Sequence, residues 1–421
     1  MQALSHLAIV WCSVYVAVFL AARTRLTPVL YFLAIGSTLV NAGVLPHESN
    51  VFIAGLADLG IVLIMFALGF EENSSRFVSA VKRSWGIALF GAVVPFAVAY
   101  AVTQYFWGDY HMSLMCGLAM TATAVSLTMV SLKSSGLQQS AAATGIMSSA
   151  VLDDIGSLIL VAVLIPIASG LGEVSAHGLL VIAAKVVAFF AIVVFMGVVL
   201  FPEKRDSAWS RIPVIRYVAL RSLLAFDHGE HATLGVLVVA LLTGLLAHLF
   251  GFHPAIGAYM AGLVLKEEYF RFGDELTVNY YERTRQIVDN VAFSWIGPVF
   301  FVNLGAHIVF DWSVLVGVAP QVVVLFVGLF VGQVASAALA ARYTGGFDAR
   351  DSLLIGFGML GRAELAFVVI DIAYVQLPIL NTETFYMLMA TAFGLNVAVP
   401  VTIAWWKRRY PEAALPAYRG I

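Results

Sequence analysis

The sequence predicts an all-α polytopic membrane protein with about thirteen transmembrane helices. Three observations predict it. Of the 421 residues, 61% are hydrophobic and only 11% charged, with a mean hydropathy of +0.93, against ~25% charged residues in a soluble globular chain. Apolar stretches long enough to cross ~30 Å of hydrocarbon recur along the whole chain. The basic residues also avoid every other connection between those stretches, which a miscounted helix would disturb.

Taken in order, the apolar segments fall at roughly 4–22, 27–44, 51–70, 84–107, 112–132, 140–166, 176–200, 231–250, 253–266, 289–310, 313–342, 350–375 and 383–406. Arg23 and Arg25 follow the first, and no basic residue lies in 45–50. Arg76, Lys82 and Arg83 come next, then none in 108–111; Lys133, then none in 167–175. The loop 201–230 carries Lys204, Arg205, Arg211, Arg216 and Arg221, while 251–252 carries none. The connector 267–288 holds Arg271, Arg283 and Arg285, with Lys266 at its edge, and 311–312 and 376–382 hold none. Arg342 and Arg350 flank 343–349, and the tail has Lys407, Arg408, Arg409 and Arg419. The positive-inside rule then places the N-terminus outside and the C-terminus inside. Segment 4–22 lacks a basic n-region and is expected to be a retained helix. The two longest connectors, 201–230 and 267–288, read as amphipathic or irregular cytoplasmic segments.

Other function classes find little support. A net charge of −2 offers no basic surface for nucleic acid. No C-x-x-C, H-E-x-x-H or phosphate-cradling glycine loop occurs, so neither a resident metal, a cofactor nor an enzyme is expected. Cys12 and Cys116 lie in separate apolar segments and read as small core residues.

The sixth segment carries the chemistry. Ala141 to Pro166 would be an unremarkable span except for Asp153 and Asp154 near its middle. A carboxylate at mid-bilayer costs on the order of 3 kcal/mol by insertion scales, and such residues read by default as ion or proton sites. The bland alternative is a carboxylate pair that only packs helices. Lys185 and Arg362 are the two basic residues that the alternation leaves inside the membrane. Lys185 could neutralise Asp153 or snorkel to the interface.

The chain also repeats itself. HPAIGAYMAG at 253–262 and TPVLYFLAIG at 27–36 share a Pro after a polar start and a Gly eight residues later. Polar T-A-T-A-V at 121–125 precedes the Asp pair by about 30 residues, as G-M-L-G-R-A-E at 358–364 precedes Asn396. Segments two to six and nine to thirteen therefore form two five-helix repeats, and their odd offset of seven makes them inverted. Repeat one covers about 27–166, linker helices about 176–250 and repeat two about 253–406, with a short tail at 407–421; all belong to one transmembrane domain. Inverted repeats with interrupted helices at mid-depth are a signature of secondary transporters.

Segment five gathers Thr121, Thr123, Ser126 and Thr128. An unwound stretch there would aim half-helix ends and carbonyls at the Asp pair; ordinary small-residue helix packing enriches the same types. In segment twelve Arg362 and Glu364 are two apart and cannot face each other on an intact helix. Either that helix is broken or each finds another partner, with a structural ion pair as the plain alternative. Asp58, His248, His253 and His307 lie near segment ends and read as interfacial or packing residues; Gln333 and Asn303 are deep amides.

T-A-T-A-V at 121–125, V-L-D-D-I-G at 151–156, H-P-A-I-G-A-Y-M-A-G at 253–262, P-V-F-F-V-N-L-G at 298–305 and G-R-A-E-L-A-F at 361–367 together resemble the monovalent cation:proton antiporter-2 family. That family includes bacterial sodium/proton antiporters and Kef-type potassium efflux antiporters. The resemblance implies a core with two crossing unwound helices, a dimerisation domain, a homodimer and elevator-like alternating access. It implies that Asp154 binds the transported Na⁺ or K⁺, with Asp153 its neighbour and Thr121 to Val125 and Gly361 to Glu364 as the crossovers. Asp-Asp is the pattern of the sodium-selective branch, whereas Kef-type members have Gln-Asp. The chain departs from the electrogenic pattern at Gln333, where a Lys pairing with the first Asp is expected. An amide there can donate a hydrogen bond to Asp153 but brings no charge, so electroneutral exchange of one proton per cation is expected unless Lys185 restores the charge. The Kef-type nucleotide-binding domain is absent, so ligand gating of that kind is not expected. The rival readings are a potassium/proton antiporter, and a cation channel or non-transporting scaffold.

Overall fold

The computed structural model describes residues 2–24, 28–46, 49–71, 74–137, 140–169, 230–265, 267–270, 279–308, 311–362 and 364–410, with scattered positions in 181–224. Among these residues the regular structure is helical throughout and no strand occurs. Among the described residues eight helices are long and apolar enough to cross a membrane, and Pro28–Asn41 and Pro254–Val264 are shorter apolar helices. The seventh predicted segment, 176–200, and the loop 201–230 lie mostly outside the described residues, as does 411–421.

In chain order the helices are α1 (Gln2–Thr24), α2 (Pro28–Asn41), α3 (Val51–Glu71), α4 (Ser74–Trp107), α5 (Tyr110–Ala119), α6 (Val125–Ser134), α7 (Ala141–Ala168), α8 (Ala232–Leu249), α9 (Pro254–Val264), α10 (Tyr280–Asn290), α11 (Gly297–Ala306), α12 (Trp312–Gly317), α13 (Ala319–Tyr343), α14 (Ala349–Gly358), α15 (Glu364–Asp371) and α16 (Thr382–Arg409). Side chains set many of the starts. Asp109, Ser140, Asp348 and Asn381 each accept the amide three residues on, at 2.6–3.1 Å. This satisfies donors that a helix start leaves orphaned. Asp311 does the same for α12, and its bonds from the Ser313 hydroxyl and then the Ser313 and Val314 amides hold its carboxyl below the usual range. Gly346 turns the chain between α13 and α14 at φ 66°, a conformation that costs a glycine little.

The chain divides into two compact units: Met1–Val14, Glu48–Ser75 and Gly172–Asn303 in one, and Tyr15–His47, Arg76–Leu171 and Leu304–Ile421 in the other. In the first unit α9 packs against α3 and α8 through glycine. A Cβ on Gly69 or Gly262 would strike backbone of the facing helix, and one on Gly257 would strike Thr243 of α8. Small residues let backbones approach closely where lipid offers no hydrophobic drive for helix association. Phe66, Phe70, Val236, Ala240, Ala258, Ala261 and Leu265 form the core there. The connector expected to be amphipathic or irregular at 267–288 ends in α10, which buries Thr284 and Val288 one turn apart and exposes Arg283 and Gln286. A π turn at Val291–Trp295 then leads into α11. Pro298 explains that turn, because its ring displaces the carbonyl four residues back and it donates no amide.

In the second unit α14 packs against α13 and α7, and α16 against α13 and α6. Two predicted spans are interrupted here. Segment five splits into α5 and α6 around residues 120–124, and segment twelve into α14 and α15 around 359–362. Segment six is the unbroken α7.

Candidate ion-binding site

The two interruptions meet. The Ala124 amide donates to the Gly361 carbonyl at 2.9 Å, and the Thr128 hydroxyl donates to the Gly358 carbonyl at 2.6 Å. Gly361 has to be small, since a Cβ there would lie 2.9 Å from that of Ala124. One backbone-to-backbone bond across two non-helical stretches satisfies only part of their backbone, so buried side chains must supply more.

Asp153 supplies it for the first break. It is 1% exposed, and its Oδ2 accepts from the Thr123 amide at 3.1 Å and the Thr123 hydroxyl at 2.7 Å. Thr123 stands just before α6, so the carboxylate meets the positive end of a half-helix. Asn396 of α16 does the equivalent for the second break. Its Oδ1 accepts from the Arg362 amide at 2.6 Å and its Nδ2 donates to the Arg362 carbonyl at 2.7 Å.

Arg362 is 1% exposed and lies inside the second break. Its Nη1 donates to the carbonyls of Met359, Leu360 and Gly361 at 3.3, 3.2 and 3.0 Å, and its Nη2 to Gln333 Oε1 at 3.0 Å. The cation thus closes the negative end of α14, while buried Glu364 opens α15. Arg362 and Asp153 interact electrostatically. Arg362 and Glu364 are therefore separated by a broken helix, the first of the two possibilities their spacing left open.

Gln333 departs from expectation. Its Nε2 donates to the Gly91 carbonyl at 3.0 Å, so the amide serves Gly91 and Arg362 and not Asp153. A buried amide pairs with the groups nearest both its ends, and α4 backbone and a guanidinium occupy them. Thr121 is buried and returns its hydroxyl to the Gly117 carbonyl at 3.0 Å. Asp154 is half-buried, one residue round α7 from Asp153. Lys185 belongs to the other unit and is exposed. The Gly91 carbonyl carries no side-chain signal in the sequence, whereas Thr128 belongs to the polar cluster expected in segment five. His253 turns out to cap α9 through the Ala255 amide at 3.2 Å.

A family model described as sodium/hydrogen exchanger, transmembrane, matches residues 9–408. The chain belongs to the sodium/hydrogen exchanger family. This is a family of transporters and not of enzymes. Among its relatives, the chain is similar to the Na⁺/H⁺-K⁺ antiporter GerN of Bacillus cereus, 27% identical over 370 residues that cover 86% of each chain. It is also similar to the ammonium/H⁺ antiporter subunit AmhT of Alkalihalophilus pseudofirmus, 26% identical over 85% of this chain and 83% of that one. The fold matches the sodium proton antiporter MjNhaP1 of Methanocaldococcus jannaschii with a TM-score of 0.68, covering 96% of this chain and 99% of that one at 13% identity.

Proposed function

We propose that this exchanger-family chain exchanges a monovalent cation, Na⁺ in preference, for protons at Asp154 and Asp153. The observation that carries the reading is the buried Asp153 carboxylate bound to the break between α5 and α6, where that break meets a second one. Carboxylate oxygens, threonine hydroxyls and freed carbonyls are the hard oxygen donors an alkali cation requires. Asp154 binds either a dehydrated cation or a proton, and that competition is the coupling. The unit holding the site carries it across the membrane by elevator-type alternating access, in a homodimer of the inner membrane with its C-terminus cytoplasmic.

The architecture behind this is about thirteen helices in two inverted repeats. Its support is the likeness of the two breaks, each bound by a polar side chain of a later long helix: Thr123 by Asp153, Arg362 by Asn396. Potassium is the second reading, favoured by the likeness to an antiporter named for both Na⁺ and K⁺. The deciding experiment is dissipation of an imposed pH gradient in proteoliposomes on adding Li⁺, Na⁺ or K⁺. Cation-dependent proton movement with Na⁺ ahead of K⁺ is expected. Current without proton counterflow would mean a channel, and no flux would mean a scaffold.

A further inference from the structure

Ser157 stands four residues after Asp153 and three after Asp154 in α7, so it neighbours both carboxylates on the helix surface. Its side chain is 1% exposed, like that of Asp153. Among the described residues neither Ser157 Oγ nor Asp153 Oδ1 has a hydrogen-bond partner. Oδ1 is the oxygen left over once Oδ2 has taken both bonds from Thr123.

The bare hydroxyl contrasts with several others in this chain. Serine and threonine in helices commonly return the hydroxyl to a carbonyl one turn back. Ser13, Thr38, Thr128 and Ser131 all do so, at 2.7–3.0 Å. Ser157 does not, although the Asp153 carbonyl stands in the corresponding place. Of the buried serine and threonine hydroxyls left without a partner among the described residues, it is the one beside the Asp pair. Two buried oxygens without partners, one helical turn apart, carry a free-energy penalty unless something else bonds them.

We infer that Ser157 Oγ is a direct ligand of the transported cation, held together with Asp153 Oδ1. The inference rests on the antiporter reading above and adds a neutral oxygen on the C-terminal side of the pair. A hydroxyl suits this task because its lone pairs face a cation, while its proton can turn to a carboxylate oxygen when the pair carries H⁺ instead. It therefore weighs on cation affinity and preference, leaving the titrating group itself unchanged.

The test uses the full-length protein in proteoliposomes, with the chlorides of Li⁺, Na⁺ and K⁺ as probes against an imposed pH gradient. Ser157→Ala is expected to raise the apparent KM for Na⁺ about tenfold and to change the order or spacing of the three ions' KM values. Ser157→Thr keeps the oxygen, and its KM for Na⁺ is expected within about twofold of the parent. An unchanged Na⁺ KM and ion preference in Ser157→Ala would overturn the assignment, as would loss of exchange in both variants. Asp154→Asn is run alongside. Exchange surviving in that variant would overturn the antiporter reading at the Asp pair, whereas exchange lost there with Ser157→Ala unaffected would overturn only the role of Ser157.

Discussion

Thr123 grips Asp153 with two donors on one oxygen: its backbone amide and its hydroxyl both reach Oδ2, at 3.1 and 2.7 Å. The amide is available only because α5 ends at Ala119 and α6 does not begin until Val125. In an unbroken helix that N–H would be spent four residues back. The break and the carboxylate therefore require one another.

Thr123→Val separates the two donors, since it keeps shape and amide and removes the hydroxyl. A hydrogen bond to a charged group contributes about 1.5–3 kcal/mol. The exchange efficiency of this variant is expected to fall roughly 10- to 100-fold, with Thr123→Ser close to the parent. Initial rates of Na⁺-driven alkalinisation across a cation series would measure it, and equal rates for Val and Thr would remove the hydroxyl from the site.

Asp154→Asn is expected to abolish exchange while leaving the protein folded. The amide matches the carboxylate in shape, but it can neither release a proton nor supply formal charge. Cation-dependent proton flux in this variant, with the same elution profile as the parent, would refute the role.

Much of this site could be read from the chain. Asp153, Asp154, Arg362 and Glu364 announce themselves because charge inside an apolar run has no cheap structural excuse. Gly361 and the Thr-rich stretch marked both breaks. Which of two adjacent aspartates turns inward could not be read: they lie about 100° apart on a helix, and neighbours on both faces are apolar. Nor could the partner of Gln333, because the Gly91 carbonyl is a backbone group in a distant segment. The extension of α4 back to Ser74 and the π turn at Val291–Trp295 escaped for a related reason. Hydropathy marks where a helix is apolar, not where its hydrogen bonding starts or slips.

Asn396→Ala tests the second break. Asn396 is fully buried and bonds both backbone groups of Arg362. Removing it orphans a buried N–H and C=O, each costing about 1–3 kcal/mol. The detergent-solubilised variant is expected to unfold at a clearly lower temperature than the parent, and to lose exchange in proportion. A normal Tm would mean that other groups hold Arg362.

Competition at Asp154 sets a pH signature. If protons and Na⁺ exclude one another there, as proposed, lowering the pH raises the apparent KM for Na⁺, by up to about tenfold per unit once protons dominate. The saturated rate at high Na⁺ is expected to change far less over the same range. A pH-independent KM would mean that the cation and the proton use separate sites.

The last expectation concerns stoichiometry. Gln333 stands where the family resemblance places a lysine with a removable charge, and it is bonded to Arg362 instead. Arg362 interacts electrostatically with Asp153 and is held by three carbonyls and the Gln333 amide. A lysine beside the first aspartate can give up its proton when the cation arrives and so release a second H⁺. A guanidinium does not deprotonate in proteins, so Arg362 stays charged throughout the cycle. With the Asp153 charge offset by Arg362 throughout, one proton is traded for one Na⁺ at Asp154, and exchange is expected to be electroneutral. The rival source of a removable charge is Lys185, which is exposed and belongs to the other unit. The measurement imposes a membrane potential on proteoliposomes with valinomycin and K⁺ and follows Na⁺-driven proton movement. Rate and end point are expected to ignore that potential. A clear dependence on it would overturn electroneutral exchange, and its disappearance in Lys185→Ala would identify the second proton carrier.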